Sequence, residues 1–206
     1  LLNYTDYHHR HSPIYPVFLG QFLKLNFSYD FIRFIHLNIS LLLIFIFYKC
    51  LVLKFNNINK NILIILSLII FLSPTFRSLA IWPDSRIIGV IFFTLSILEF
   101  LKFEKNNHYA HVWKNLLYLI ISSYVSPNFS IFIIFFSYHY LKKLNFIRLI
   151  AIGLFCLIMA FPAFYYLFIL DINFLLAKTP GSNANETIGL SFNFANKILI
   201  ISSIIM

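Results

Sequence analysis

Residues 31–53 read FIRFIHLNISLLLIFIFYKCLVL, from Phe31 to Leu53. A helix that crosses a bilayer needs about 20 mostly apolar residues. This stretch supplies them, with its two charges, Arg33 and Lys49, near opposite ends. The rest of the chain has the same character. Hydrophobic residues make up 60% and charged residues 11%, against about 45–50% and about 25% in soluble domains. Mean hydropathy is +0.84. A soluble chain of 206 residues has too little interior to hide that much apolar surface, whereas a bilayer accepts it. The expected fold is therefore all-α, a polytopic transmembrane helical bundle of about six to seven spans with a short juxtamembrane helix.

Further spans are expected at Asn61–Ala80, with Ser73-Pro74 near the end, at Arg86–Leu101, extending to Phe103, and at Ile147–Leu170. The stretch Leu116–Leu141 is long for one helix and is interrupted by Ser126-Pro127-Asn128. Proline lacks the N–H donor and restricts the residue before it. Two short or tilted helices, Val112–Val125 and Pro127–Leu141, are expected there as a hairpin; the other possibility is one long kinked helix. A seventh span begins near Phe194. Pro13–Leu25 is too short to cross and suits a helix lying in the membrane surface. Residues 1–30 are then an outer loop with that helix, and 31–206 a transmembrane domain. Leu1 opens the chain and Met206 falls inside an apolar run, so a fragment of a longer protein is expected.

Charge assigns the sides. Loops 49–60, 102–114 and 142–148 hold Lys49, Lys54, Lys60, Lys102, Lys105, Lys114, Lys142, Lys143 and Arg148. The other side holds Arg10, Lys24, Arg33, Arg77, Arg86, Lys178 and Lys197, and five of the seven acids. Cytoplasmic loops carry the excess of Lys and Arg, which places the first group inside. The net charge of +9 is explained by topology, and no nucleic-acid partner is expected. Cys50 and Cys156 sit in or beside apolar runs, without metal or disulfide spacing. Glu99 is expected to reach for the interface from its helix end.

Chemistry is expected at the outer face. Asp6, beside His8, His9, Arg10 and His11, could take a proton from a hydroxyl, and Arg10 could hold a phosphate through its planar fork. The histidines could bind a metal. A second cluster is Arg77, Trp82, Asp84 and Arg86, where the arginines would hold a lipid phosphate and Asp84 would orient them or the substrate. The loop 171–193 reads as flexible. Arg33 and His36, one turn apart, share a helix face.

The order of features resembles the multi-span glycosyltransferases of the GT-C fold, in particular the bacterial branch related to protein O-mannosyltransferases and aminoarabinose transferases. The residues that carry the likeness are Arg10-x-x-Pro13-x-Tyr15-Pro16, then Phe31-Ile32-Arg33-Phe34 opening a span. Ser73-Pro74, Arg77 and an outer loop with Asp84 follow, and a span pair turns at Ser126-Pro127-Asn128 and ends in Lys142-Lys143. The resemblance implies an integral protein of the bacterial inner (plasma) membrane. It would move a sugar from a polyprenyl-phosphate donor to a lipid, glycan or protein acceptor on the outer face. Asp6 and Asp84 would be catalytic, and Arg10, Tyr15, Arg33, Arg77 and Arg86 would bind substrate. A divalent metal sometimes assists in the family. The competing expectations are a polysaccharide polymerase or flippase and a non-enzymatic transporter subunit.

Overall fold

The computed structural model describes residues 14–164. Among them all regular structure is helical. The helices are α1 (Ile14–Lys24), α2 (Tyr29–Lys54), α3 (Lys60–Leu68), α4 (Pro74–Ile81), α5 (Ser85–Asn106), α6 (Ala110–Val125), α7 (Phe132–Lys143) and α8 (Phe146–Phe164). Short 3-10 turns at Ile69–Leu72 and Pro127–Ile131 lead into α4 and α7. The packing contacts of the bundle lie inside one compact unit, Ser12–Ala160; the last turn of α8, Phe161–Phe164, belongs to a second unit. The expected seventh span and the loop 171–193 lie outside the described residues.

Local chemistry sets the helix ends. Ser28 caps α2 by accepting a hydrogen bond from the Phe31 amide at 3.2 Å, and Asp30 in the first turn and Lys54 in the last complement the helix dipole. Between α1 and α2, Asn26 takes the left-handed conformation at φ 62°. The Phe27 amide donates to Phe22 O and the Asn26 amide to Leu23 O, while the Phe22 and Phe27 rings meet at 5.9 Å. This is the Schellman stop with its apolar contact. Asn107, at φ 52°, closes α5 with its amide on Phe103 O.

Two Ser-Pro steps redirect the chain. Ser73 caps α4 with Pro74 in the first turn, where the missing N–H costs nothing. The path 60–81 is consequently bent by 69° at this break, where an apolar span running to Ala80 was expected. Ser126-Pro127 ends α6 without a side-chain cap, the Ser126 amide donating to Ser122 O and Pro127 opening the next 3-10 turn. The hairpin expectation holds: Tyr140, late in α7, donates to Oδ1 of Asn115, early in α6, at 2.8 Å.

Contacts fix the directions of the helices. Asn115 and Ser96, and Ser122 and Gly89, run α6 antiparallel to α5. Leu79 and Ile81 accept from His36 and Arg33, so the path ending in α4 returns alongside α2. Trp113 meets Phe155 and, further along both helices, the Tyr124 hydroxyl donates to Met159 O, which lays α8 parallel to α6. One apolar cluster joins Phe103, Leu116, Leu119, Phe136 and Ile152 from α5 to α8; a second joins Leu43, Phe76, Ala80, Ile87 and Ile91 from α2, α4 and α5.

The turns after α2, α5 and α7 therefore share one end of the bundle, here the basic end. The starts of α2 and α5 and the end of α4 share the opposite end. Among the described residues the basic end holds nine Lys and Arg against Glu99 and Glu104, and the opposite end Lys24, Arg33, Arg77 and Arg86 against Asp30 and Asp84. Glu99 does not reach outward. It is buried, held by Lys102 at 2.5 Å and His111 at 2.7 Å, because a charge taken from water needs partners.

Among the described residues one helix, α2, is long and apolar enough to cross a membrane, or two if the bent α3–α4 path counts as one span. Every 18-residue window of α5 holds at least three charged residues among Arg86, Glu99, Lys102, Glu104 and Lys105. The apolar helices fit an association with a membrane.

Two substitutions test this packing. A methyl group at Gly89 would stand 2.9 Å from Ser126 Cβ and 3.1 Å from the Phe129 ring. Gly89→Val should lower stability by about 1–3 kcal/mol through overpacking, read by thermal unfolding. Asn115→Leu leaves the buried Tyr140 hydroxyl unpaired and should cost about 1–3 kcal/mol. Adding Tyr140→Phe should recover much of that loss, so a double-mutant cycle with strictly additive costs would contradict the bond.

Candidate functional site

Three segments converge at the end opposite the basic one. Arg33 comes from the first turns of α2. Its guanidinium carbon lies 4.6 Å from the centre of the Trp82 ring, its Nε donates to Ile81 O at 3.4 Å, and Asp30 lies 3.6 Å away. An arginine over an indole is a favoured cation–π arrangement. Trp82 is exposed and sits where α4 ends.

Asp84 and Arg86 form the second part. Asp84 caps α5, accepting from the Arg86 amide at 2.7 Å. The same carboxylate accepts from Arg86 Nε at 3.0 Å and from the terminal nitrogen at 2.8 Å. One residue thus starts the helix and aims the guanidinium, a planar, two-point pairing. The Asp84 side chain is 21% exposed and that of Arg86 52%, so Arg86 keeps an open face.

The third part is polar and buried. His36 is only 1% exposed. Its Nε2 donates to Leu79 O at 2.9 Å, which leaves Nδ1 as the acceptor of a neutral ring. The Tyr15 hydroxyl donates to that nitrogen at 2.5 Å. This chain of bonds ties α1 to α2 and α4. Burial pushes the Tyr15 phenol above its ordinary value, and the charge of Asp84 adds to the shift.

Of the residues singled out from sequence, Tyr15, Arg33, Asp84 and Arg86 stand at this end of the bundle. Arg77 is exposed on α4 and does not share the Asp84–Arg86 pairing. Asp6 and Arg10, with the histidines beside them, lie outside the described residues. His36 and Trp82 join the site as the partners of Tyr15 and Arg33. The one sequence signal for His36 is its spacing of three from Arg33. Among the described residues no group of three His, Cys, Asp or Glu is placed to hold a metal ion.

No family model, curated protein or solved structure matches this chain.

Tyr15→Phe would strand a buried imidazole nitrogen. It should cost about 1–3 kcal/mol and raise hydrogen exchange across residues 14–24. Exchange in α5 and α6 should be unchanged; equal loosening everywhere would show that Tyr15 is not a local tie.

Proposed function

We propose that this chain is the membrane-embedded part of a GT-C-type glycosyltransferase, a bundle of six to seven spans in the bacterial inner membrane. It would pass a sugar from a polyprenyl-phosphate donor to a lipid, glycan or protein acceptor at the outer face. The observation that carries this reading is the convergence of Arg33, Trp82, Asp84 and Arg86 at the end of the bundle poor in net positive charge. The alternation of helix directions and the charge contrast between the two ends support the sidedness.

In this reading α2 and the bent α3–α4 path are two of the spans, and α5 to α8 provide four more. α5 crosses despite its charges because Glu99 is paired with Lys102 and His111. Lys102, Glu104 and Lys105 fall in its last two turns, toward the headgroups. α6 and α7 are short for a span, and local thinning of the bilayer with snorkelling side chains accommodates such helices.

The chemistry follows from the arrangement. When the glycosidic bond to the donor phosphate breaks, negative charge builds on the leaving phosphate. Donors already aimed at that point stabilise it without reorganisation. Arg86 is aimed by Asp84, and Arg33 by the Trp82 ring and Ile81 O. Asp84 then acts as a positioning residue for Arg86, with its carboxylate engaged by three donor groups of that arginine. The Asp6 carboxylate is the base that takes the proton of the acceptor hydroxyl. Tyr15 holds α1 against the site through His36.

The test is transfer from a labelled polyprenyl-phosphate sugar by the full-length protein in membranes. Arg86→Ala and Arg33→Ala should each lower transfer about 100-fold, the scale of losing one charge-stabilising donor, with normal expression. Asp84→Asn keeps the helix cap, since Asn and Asp cap comparably, yet should lose activity. Combined with Arg86→Ala it should cost little more than the worse single change, because the pair acts as a unit. Undiminished transfer by the Arg33 and Arg86 variants would sink the proposal.

A further inference from the structure

The turn between α7 and α8, with its flanks, is Leu141-Lys142-Lys143-Leu144-Asn145-Phe146-Ile147-Arg148. It stands at the basic end, remote from the site above. Leu144 packs against the core, while Leu141, Phe146 and Ile147 face outward. Ile147 is 80% exposed and Phe146 76%, the two highest values among the exposed large hydrophobic residues. Burial would have been available to them in a turn that folded back on the bundle. Instead they project beside three cations.

Those cations differ in their partners. Lys143 is matched by Glu104 at 2.7 Å. Lys142 and Arg148 face aromatic rings and have no carboxylate among the described residues. Lys142 lies 4.0 Å from the Tyr138 ring centre and donates to its hydroxyl. Arg148 lies 5.0 Å from the Tyr109 ring, and the Tyr109 hydroxyl donates to Arg148 O at 3.3 Å. Aromatic rings with a polar tip settle at the headgroup level of a bilayer, and each here carries a cation against its face. Across the whole basic end, only Lys102 and Lys143 of the nine cations are in ion pairs. The remaining positive charge has no counterpart in the described residues.

We propose that the α7–α8 turn is a docking surface for anionic phospholipid headgroups. Phe146 and Ile147 enter the acyl boundary, and Lys142 and Arg148 hold lipid phosphates from their aromatic platforms. The inference rests on the membrane-spanning reading above, and it adds a lipid partner on the face opposite the sugar-transfer site. The chemistry fits: exposed apolar side chains alone suit any lipid, while unpaired cations beside them select negative headgroups.

The purified chain offers its own probe. It has two tryptophans, and Trp113 packs against both Tyr109 and Phe155 near this turn. In a Trp82→Phe background, Trp113 fluorescence is followed in phosphatidylcholine vesicles containing a small fraction of brominated lipid. Brominated phosphatidylglycerol should quench more than brominated phosphatidylcholine at equal fraction. Its relative association should fall about fivefold for each of Lys142→Gln and Arg148→Gln, and the preference should shrink in high salt. Lys142→Arg and Arg148→Lys should retain it. Phe146→Ser with Ile147→Ser should weaken quenching by both lipids. Equal quenching by the two lipids in the Trp82→Phe protein would overturn the anionic-headgroup assignment while leaving the membrane reading standing. Quenching by neither would overturn the membrane reading and this inference with it.

Discussion

Asn115 holds three helices in one register. Its side-chain amide donates to the carbonyl and the hydroxyl of Ser96 on α5, and its oxygen accepts from Tyr140 on α7. The residue is fully buried, so each bond is made where water cannot replace it. Helices whose contacts are mostly Phe, Leu and Ile could slide past one another with little change in apolar contact. A saturated amide at the centre removes that freedom. It sets the α5–α6–α7 block, and through α5 it sets where Asp84 and Arg86 emerge.

The same helix serves both ends of the bundle. At its start, Asp84 caps the helix and aims an arginine. Near its other end, Glu99 is buried between a lysine and a histidine. One face of α5 joins the cluster shared with α2 and α4, and another joins α6, α7 and α8. The site is therefore divided. Arg86 belongs to the block registered by Asn115, whereas Arg33 and Trp82 are carried by α2 and the end of α4. Their alignment depends on how the bent 60–81 path returns alongside α2.

Much of the helical plan was legible because it rests on local chemistry. The expected first span, 31–53, lies inside α2, and the turn at Ser126-Pro127 falls where a missing donor and a restricted preceding residue require it. Ser73-Pro74 carries the same chemistry, yet hydropathy averaged over 61–80 reads as one continuous span. A capped new helix and a 69° bend stand there instead. For the site, Asp84 and Arg86 were readable together because two residues separate cap from guanidinium. Arg77 is nearly as close in sequence, but it stands exposed on α4 outside the Asp84–Arg86 pairing. The pairing of Arg33 with Trp82 joins residues 49 positions apart, and that of Tyr15 with His36 spans 21. Neither leaves a periodic trace. Glu99 was read as reaching outward because its partner His111 comes from the next helix.

Gly89 gives the bundle an uneven stiffness. With no side chain at that point, α5 comes so close to α6 and the turn after it that an added methyl group would collide with Ser126 Cβ and crowd the Phe129 ring. Ser122 also fastens to the Gly89 carbonyl. A crossing this tight, tied by a hydrogen bond, has little slack for sliding. The 3-10 turn and Ser-Pro break at residues 69–74 are the reverse case, since i→i+3 bonding is weaker and the helical ladder is interrupted there. Elastic deformation of the bundle therefore collects in the return path of α2 rather than between α5 and α6. The end of α4 is fastened to α2 through Leu79 and Ile81, so a change in that bend is passed to α2 and Arg33 before it reaches α5.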